Sequence, residues 1–139
     1  MSVKRNKDIV REWVTRWNRN DHAAIGELYS EDEFDWRICG LSPVSRAYRK
    51  EEILSLIEQT FSNPMKEKLH LTIINLTAEH NRVALEAEGN GVYLDGTVFR
   101  NFYHILFTVK GEKIVAGRAY LDTWLAVNSS LQKTLDAKT

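Results

Sequence analysis

After Pro64 the hydrophobic period of the chain is two and stays there. Before it apolar residues mostly recur three and four apart. From Lys7 to Asn20 the spacing of Ile9, Val10, Trp13, Val14 and Trp17 predicts a helix with one buried stripe. Asn20-Asp21 ends it, and Asp21 is placed to cap a second short helix carrying Ala24, Ile25, Leu28 and Tyr29. Glu33 to Ile38 alternates apolar and polar side chains, which predicts a short strand, and a loop with Gly40, Ser42 and Pro43 follows. A third helix is expected from about Lys50 to Phe61, with Ile53, Leu54, Ile57 and Phe61 inward. Ser62-Asn63-Pro64 breaks it.

After Pro64 four strands are expected: Lys68 to Ala78, Arg82 to Val92, Val98 to Val109 and Lys113 to Leu121. His80-Asn81, Asp95-Gly96 and Gly111-Glu112 join them, and links this short force antiparallel pairing. Asp95-Gly96 reads as a two-residue hairpin turn with positive φ at both central positions. Gly89 and Gly91 read as a bulge bending the sheet. In the third strand Phe99, Asn101, Tyr103, Ile105 and Phe107 share one face and Val98, Arg100, Phe102, His104 and Leu106 the other. Both faces are partly apolar. Helices are expected over one, and a second copy of the chain, in a homodimer, over the other. Asn101 and Tyr103 among large apolar groups fit either a pocket lining or a buried strand with one satisfied polar pair. Helices first and a curled sheet afterwards make an α+β fold.

The 139 residues make one domain, with a core at about 7–125 and a polar tail at 128–139. Nineteen basic side chains balance nineteen acidic ones, so no global field draws the protein to nucleic acid or an anionic membrane. A small molecule is the expected partner. Cys39 is the only cysteine, which excludes an intrachain disulfide and a cysteine-built metal site. His22, His70 and His80 lack ligand spacing, so no metal is expected. The basic N-terminus leads into no apolar run, which predicts a cytoplasmic protein.

Asn20-Asp21 ahead of Leu28-Tyr29-Ser30-Glu31-Asp32, the pattern Asn101-x-Tyr103-x-x-x-Phe107, Lys113-Ile114 and Tyr120-Leu121-Asp122 together resemble the SnoaL-like branch of the nuclear transport factor superfamily. The likeness spans roughly residues 7 to 125. It implies a conical barrel, a curved and mainly antiparallel sheet wrapped around the N-terminal helices, with a deep pocket. It also implies cofactor-independent isomerase, cyclase, hydrolase or dehydratase chemistry on a hydrophobic carbonyl or epoxide-like substrate, or a non-catalytic binding or dimerisation domain of the same fold. The carry-over is broken. The general base of the ketosteroid isomerases falls at Arg37, their oxyanion-hole tyrosine and aspartic acid at Trp13 and Tyr103, and the catalytic aspartate of the cyclases at Ala119. The epoxide hydrolases' groups fall at Asp35, Arg37, Glu86, Glu88 and Ala119.

The resemblance implies cavity positions at Asp35, Arg37, Glu86, Glu88, Asn90, Asn101, Tyr103, Gly117 and Ala119, with Trp13, Trp17 and Phe107 beside the ligand. Glu86 and Glu88 lie two apart on one strand, so they share a face at roughly 7 Å. Were that face the cavity, mutual repulsion would raise one pKa and fit Glu88 for proton transfer. Arg37 and Asp35 would then form a polar pole and Tyr103 would donate to a substrate oxygen. Were it solvated, the glutamates would pair with Arg82 or Arg100. Asp122 is expected to cap the segment beginning at Thr123.

Overall fold

The computed structural model describes residues 2–128; of the expected polar tail, 129–139 lie outside the described residues. Helix α1 covers Val3–Asn18 and buries the stripe read from the sequence, Ile9, Val10, Trp13, Val14 and Trp17. It starts earlier than the apolar spacing suggests because Ser2 accepts a hydrogen bond from the Arg5 amide at 3.0 Å. Past its end, Asn20 turns the chain with a φ of 58°. The Asp21 side chain then caps α2, His22–Glu27, through the Ala24 amide at 3.0 Å.

Strands β1 (Asp35–Ile38) and β2 (Arg46–Tyr48) come next, the latter too short to leave a periodic signal. Helix α3 runs Lys50–Phe61. Strands β3 (Met65–Glu79), β4 (Arg82–Tyr93), β5 (Val98–Lys110) and β6 (Lys113–Leu121) follow, then a single turn, α4 (Thr123–Ala126). Asp122 caps that turn through the Leu125 amide at 3.0 Å. The sheet order is β2-β1-β6-β5-β4-β3, antiparallel throughout except for the parallel pair β1 and β6. The result is an open α+β cone: six strands curl over helices that lie on one face.

One turn assignment is corrected by the backbone. Between β4 and β5 the bond from Tyr93 N to Thr97 O, 2.8 Å, closes a three-residue loop of Leu94, Asp95 and Gly96, in which Gly96 alone has positive φ, 87°. Asp95 is spent in receiving the Thr97 amide at 2.9 Å. The two-residue turn with positive φ at both centres is Gly111-Glu112, at 54° and 65°. The expected bulge at Gly89 and Gly91 is also elsewhere. Both pair in register with β5; the register shifts fall in β3, against β4, and near the start of β6, against Thr108 and Val109 of β5.

Burial alternates strictly along β4 and β5. Val83, Leu85, Ala87, Gly89 and Gly91 point inward, opposite Phe107, Ile105, Tyr103, Asn101 and Phe99. Two side chains of α1 fasten it to β3: Trp17 Nε1 donates to Leu69 O at 2.9 Å, and the Asn18 amide both donates to Leu71 O at 2.9 Å and accepts from Leu71 N at 2.8 Å. Among the aromatic residues Trp36 is the hub, with ring centroids of Trp13, Tyr29, Phe34 and Phe107 at 6.1, 5.9, 6.2 and 5.7 Å. Its indole lies on Gly117, its register partner in β6, where an added Cβ would collide with the ring. Gly117→Ala is therefore expected to destabilise the fold by about 2–3 kcal/mol through forced overpacking, read as a lower urea midpoint at unchanged slope.

Candidate functional site

Between the helices and the inner face of the sheet lies a cavity of about 80 Å³. Helix α1 contributes Trp13 and Trp17; α3 contributes Ile53, Leu56, Ile57, Thr60 and Phe61; the sheet contributes Trp36, Ile38, Leu71, Tyr103, Ile105, Ala119 and Leu121. The surface presented is apolar. Recessed in it are two hydroxyl oxygens, Thr60 Oγ1 and Tyr103 OH, both buried and without a hydrogen-bond partner. Burial, and then the neighbouring Tyr93 phenol, push ionisation of Tyr103 far above the ordinary phenol range, so it is a neutral donor at any physiological pH. Val44 and Leu56 line both the cavity and an outer groove holding Arg46, Glu51 and Glu52. They stand between the cavity and that groove.

The expected site residues divide sharply. Tyr103, Trp13, Trp17 and Ala119 line the cavity. The indole N–H groups are already spent, Trp13 on Tyr29 OH at 3.1 Å and Trp17 on Leu69 O, so both offer only ring surface. Phe107 is fully buried but stands behind the wall, its ring against Trp13 at 5.1 Å. Asn101, though 0% exposed, is the satisfied polar residue of the two readings above. It receives the amides of Phe102 and Asp122 at 2.8 and 3.2 Å and donates to Asp122 O at 3.2 Å, tying β5 to the end of β6.

The charged quartet is not in the cavity, which corrects the expectation that it lines one. Opposed residues of an antiparallel pair share a face, and Tyr103 opposes Ala87 while Glu88 opposes Phe102. With Tyr103 inside, Glu86, Glu88 and Asn90 must be outside. Glu86 and Asn90 are exposed, and Glu88 accepts from Arg100 Nε at 2.5 Å and Asn90 Nδ2 at 3.3 Å. Arg100 first, then Asn90, hold the Glu88 carboxyl below the usual carboxylate range, the reverse of the raised value a buried proton carrier would have. Asp35 and Arg37 flank inward-facing Trp36 and so point out as well. They pair at 3.4 Å, and Asp35 also binds Arg118 at 2.8 Å. Thr60 is a polar cavity residue that sequence reading missed, beside apolar ones such as Trp36, Leu56, Leu71 and Ile105. Its one signal is a hydroxyl set in the apolar stripe of α3.

Small α+β cones of this kind, with an apolar cavity between helices and sheet, form a class of pocket proteins. Within it the chain belongs to the SnoaL-like domain family, whose model matches residues 10–117. No curated protein matches the sequence. Among solved structures, PrhC from Penicillium brasilianum aligns with a TM-score of 0.81 at 14% identity, over 98% of this chain and 91% of that one. BvnE pinacolase from Penicillium brevicompactum gives 0.80 at 13%, over 96% and 92%. Bal32a from a soil-derived mobile gene cassette gives 0.76 at 17%, over 92% and 97%. At these identities the likeness speaks for the fold. Among the described residues no helix is long and apolar enough to cross a membrane.

The outward placement of Glu88 sets its test. Glu88→Gln is expected to leave the affinity of a cavity ligand within about twofold, because it disturbs only an ion pair at the surface. Since its pKa is lowered, whatever the pair adds to stability is present above the ordinary carboxylate range and is lost as pH falls through it. Acid titration of wild type and variant checks this: the two stability curves should approach each other as pH falls.

Proposed function

We propose that the protein binds a small, largely apolar molecule in the cavity, with Tyr103 as its polar contact. The observation that carries this is the partnerless Tyr103 hydroxyl. Such a group costs roughly 1–3 kcal/mol, which a phenylalanine would avoid. A ligand carrying an oxygen offsets that cost. Entry runs past Val44 and Leu56 from the outer groove.

A second reading, enzymatic and cofactor-independent, is favoured by the same atom. A neutral phenol in apolar surroundings can stabilise a developing enolate or alkoxide oxygen, and one solved relative of this fold is named a pinacolase. Glu88, Asp35 and Arg37 do not enter this reading, because their side chains lie outside. Tyr103 donates a hydrogen bond in it and does not act as a base. Isomerase, cyclase, hydrolase or dehydratase activity would then depend on polarising and shaping the substrate.

We also propose that the chain forms a homodimer through the outer face of the sheet, where Val98, Phe102 and Tyr120 stand 71%, 54% and 52% exposed. Phe102→Glu should convert it to monomer in sedimentation velocity; a wild type that is monomeric at micromolar concentration removes the idea.

A thermal-shift screen with neutral ketones, terpene epoxides, phenols and small acids tests the pocket. A neutral oxygenated ligand at a hundred times its dissociation constant should add about 2.7 kcal/mol, a shift of several degrees. Tyr103→Phe should weaken it about fivefold. Because the pKa of Tyr103 is raised, the protonated donor is complete below about pH 10 and is lost only above it, so binding should be flat from about pH 5 to 9. If no neutral compound moves the melting temperature, the pocket reading fails.

A further inference from the structure

Thr60 narrows what the cavity accepts. It lies in the last turn of α3, 2% exposed, in the apolar row with Ile53 and Ile57. A helical threonine ordinarily returns its hydroxyl to the carbonyl four residues back. Thr15 does so, donating to Arg11 O at 3.1 Å. Thr60 forgoes that bond, and its Oγ1 has no other partner. Valine would fill the same volume without the orphan. Two residues of one cavity wall, Thr60 on a helix and Tyr103 on the sheet, thus hold hydroxyls that the fold itself does not use.

Charge narrows it further. Among the described residues no ionised side chain lines the cavity. A carboxylate or ammonium entering it would lose its hydration with no opposite charge to meet, at a cost of several kcal/mol. A neutral hydroxyl or carbonyl instead meets two orphans. Size is the third limit. A water needs roughly 10–15 Å³ of such space and takes about 30 Å³ of liquid, so about 80 Å³ holds about six waters, the volume of an organic molecule of roughly six to ten non-hydrogen atoms.

We propose that the cavity is a two-point site for a neutral oxygenated molecule of about that size, a monocyclic ketone or alcohol, hydrogen-bonded by Tyr103 and Thr60; this rests on the pocket reading above. Both oxygens are recessed in the unliganded wall. Thr60 reaches the ligand by a turn of χ1 between staggered positions, and Tyr103 by a tilt of its ring.

Three probes of nearly one shape separate the contributions: acetophenone, its hydrocarbon analogue α-methylstyrene, and benzoate. Calorimetric titration of wild type, Thr60→Val and Tyr103→Phe at pH 7 should find acetophenone bound about five- to tenfold more tightly than α-methylstyrene, and benzoate not bound. Each variant should lose about three- to tenfold for acetophenone and nothing for α-methylstyrene. Without ligand both variants should melt no lower than wild type, since an orphaned hydroxyl has been removed. Equal affinity of acetophenone for wild type and Thr60→Val overturns the two-point site and leaves the pocket standing. So does a lowered melting temperature of Thr60→Val, which would make the hydroxyl structural. Preference for benzoate overturns neutrality, and binding only of larger neutral compounds overturns the size. Absence of any neutral ligand removes the pocket reading itself.

Discussion

Much of the interior depends on a missing side chain. Trp36 and Gly117 face each other across the parallel pair β1 and β6, and the absence of a Cβ on Gly117 lets the indole lie against the strand. From that position Trp36 fixes Trp13 and Phe107, and through Trp13 it fixes Trp17, 5.3 Å further on. Dispersion between such rings is weak pair by pair and substantial in sum. Three of these four rings, those of Trp13, Trp17 and Trp36, line the cavity, so its shape depends on one glycine. Gly89 serves the same end in β4, where an added Cβ would stand 2.8 Å from the ring of Tyr103.

The chemistry of the chain is divided between two sides of one sheet. Ionised groups pair with one another on the outer face, where Glu88 meets Arg100 and Asp35 meets Arg118 in water-accessible contacts. The inner face keeps only neutral polar groups, and Asn101 and the two tryptophan N–H groups of α1 are satisfied within the fold. On the cavity wall the hydroxyls of Thr60 and Tyr103 are left over. Among the described residues the cavity is thus defined by shape and neutral surface, with no ionised side chain on its wall.

Much of this was legible in the sequence. The 3.6-residue stripe of α1, the bounds of α3 and the four long strands follow from periodicity, and the capping roles of Asp21 and Asp122 from residue type. The side of the sheet on which Glu86 and Glu88 lie was not, although the evidence was there. Val83, Leu85 and Ala87 form the more apolar row and do face inward, whereas the family alignment pointed to the other row. A period of two makes a slip of one residue exchange the faces, and Tyr103 and Glu88 cannot share one in the observed register. Asp95-Gly96 misled because the same dipeptide serves a three-residue loop. Thr60 stood hidden because nothing in a helix pattern separates a hydroxyl bonded to its own backbone from one that is not.

The fastening of α1 onto β3 has an effect beyond holding a helix in place. Strand β3 is one border of the sheet, and over its fifteen residues its outer row of N–H and C=O groups would be a template on which another chain could add a strand. Trp17 and Asn18 already occupy the carbonyl of Leu69 and both backbone groups of Leu71. Further along, the register breaks between Ile73 and Asn75 and interrupts the row again. The first helix thereby acts as a guard against β-aggregation, and a chain whose α1 frays would become sticky along this border before its core is lost.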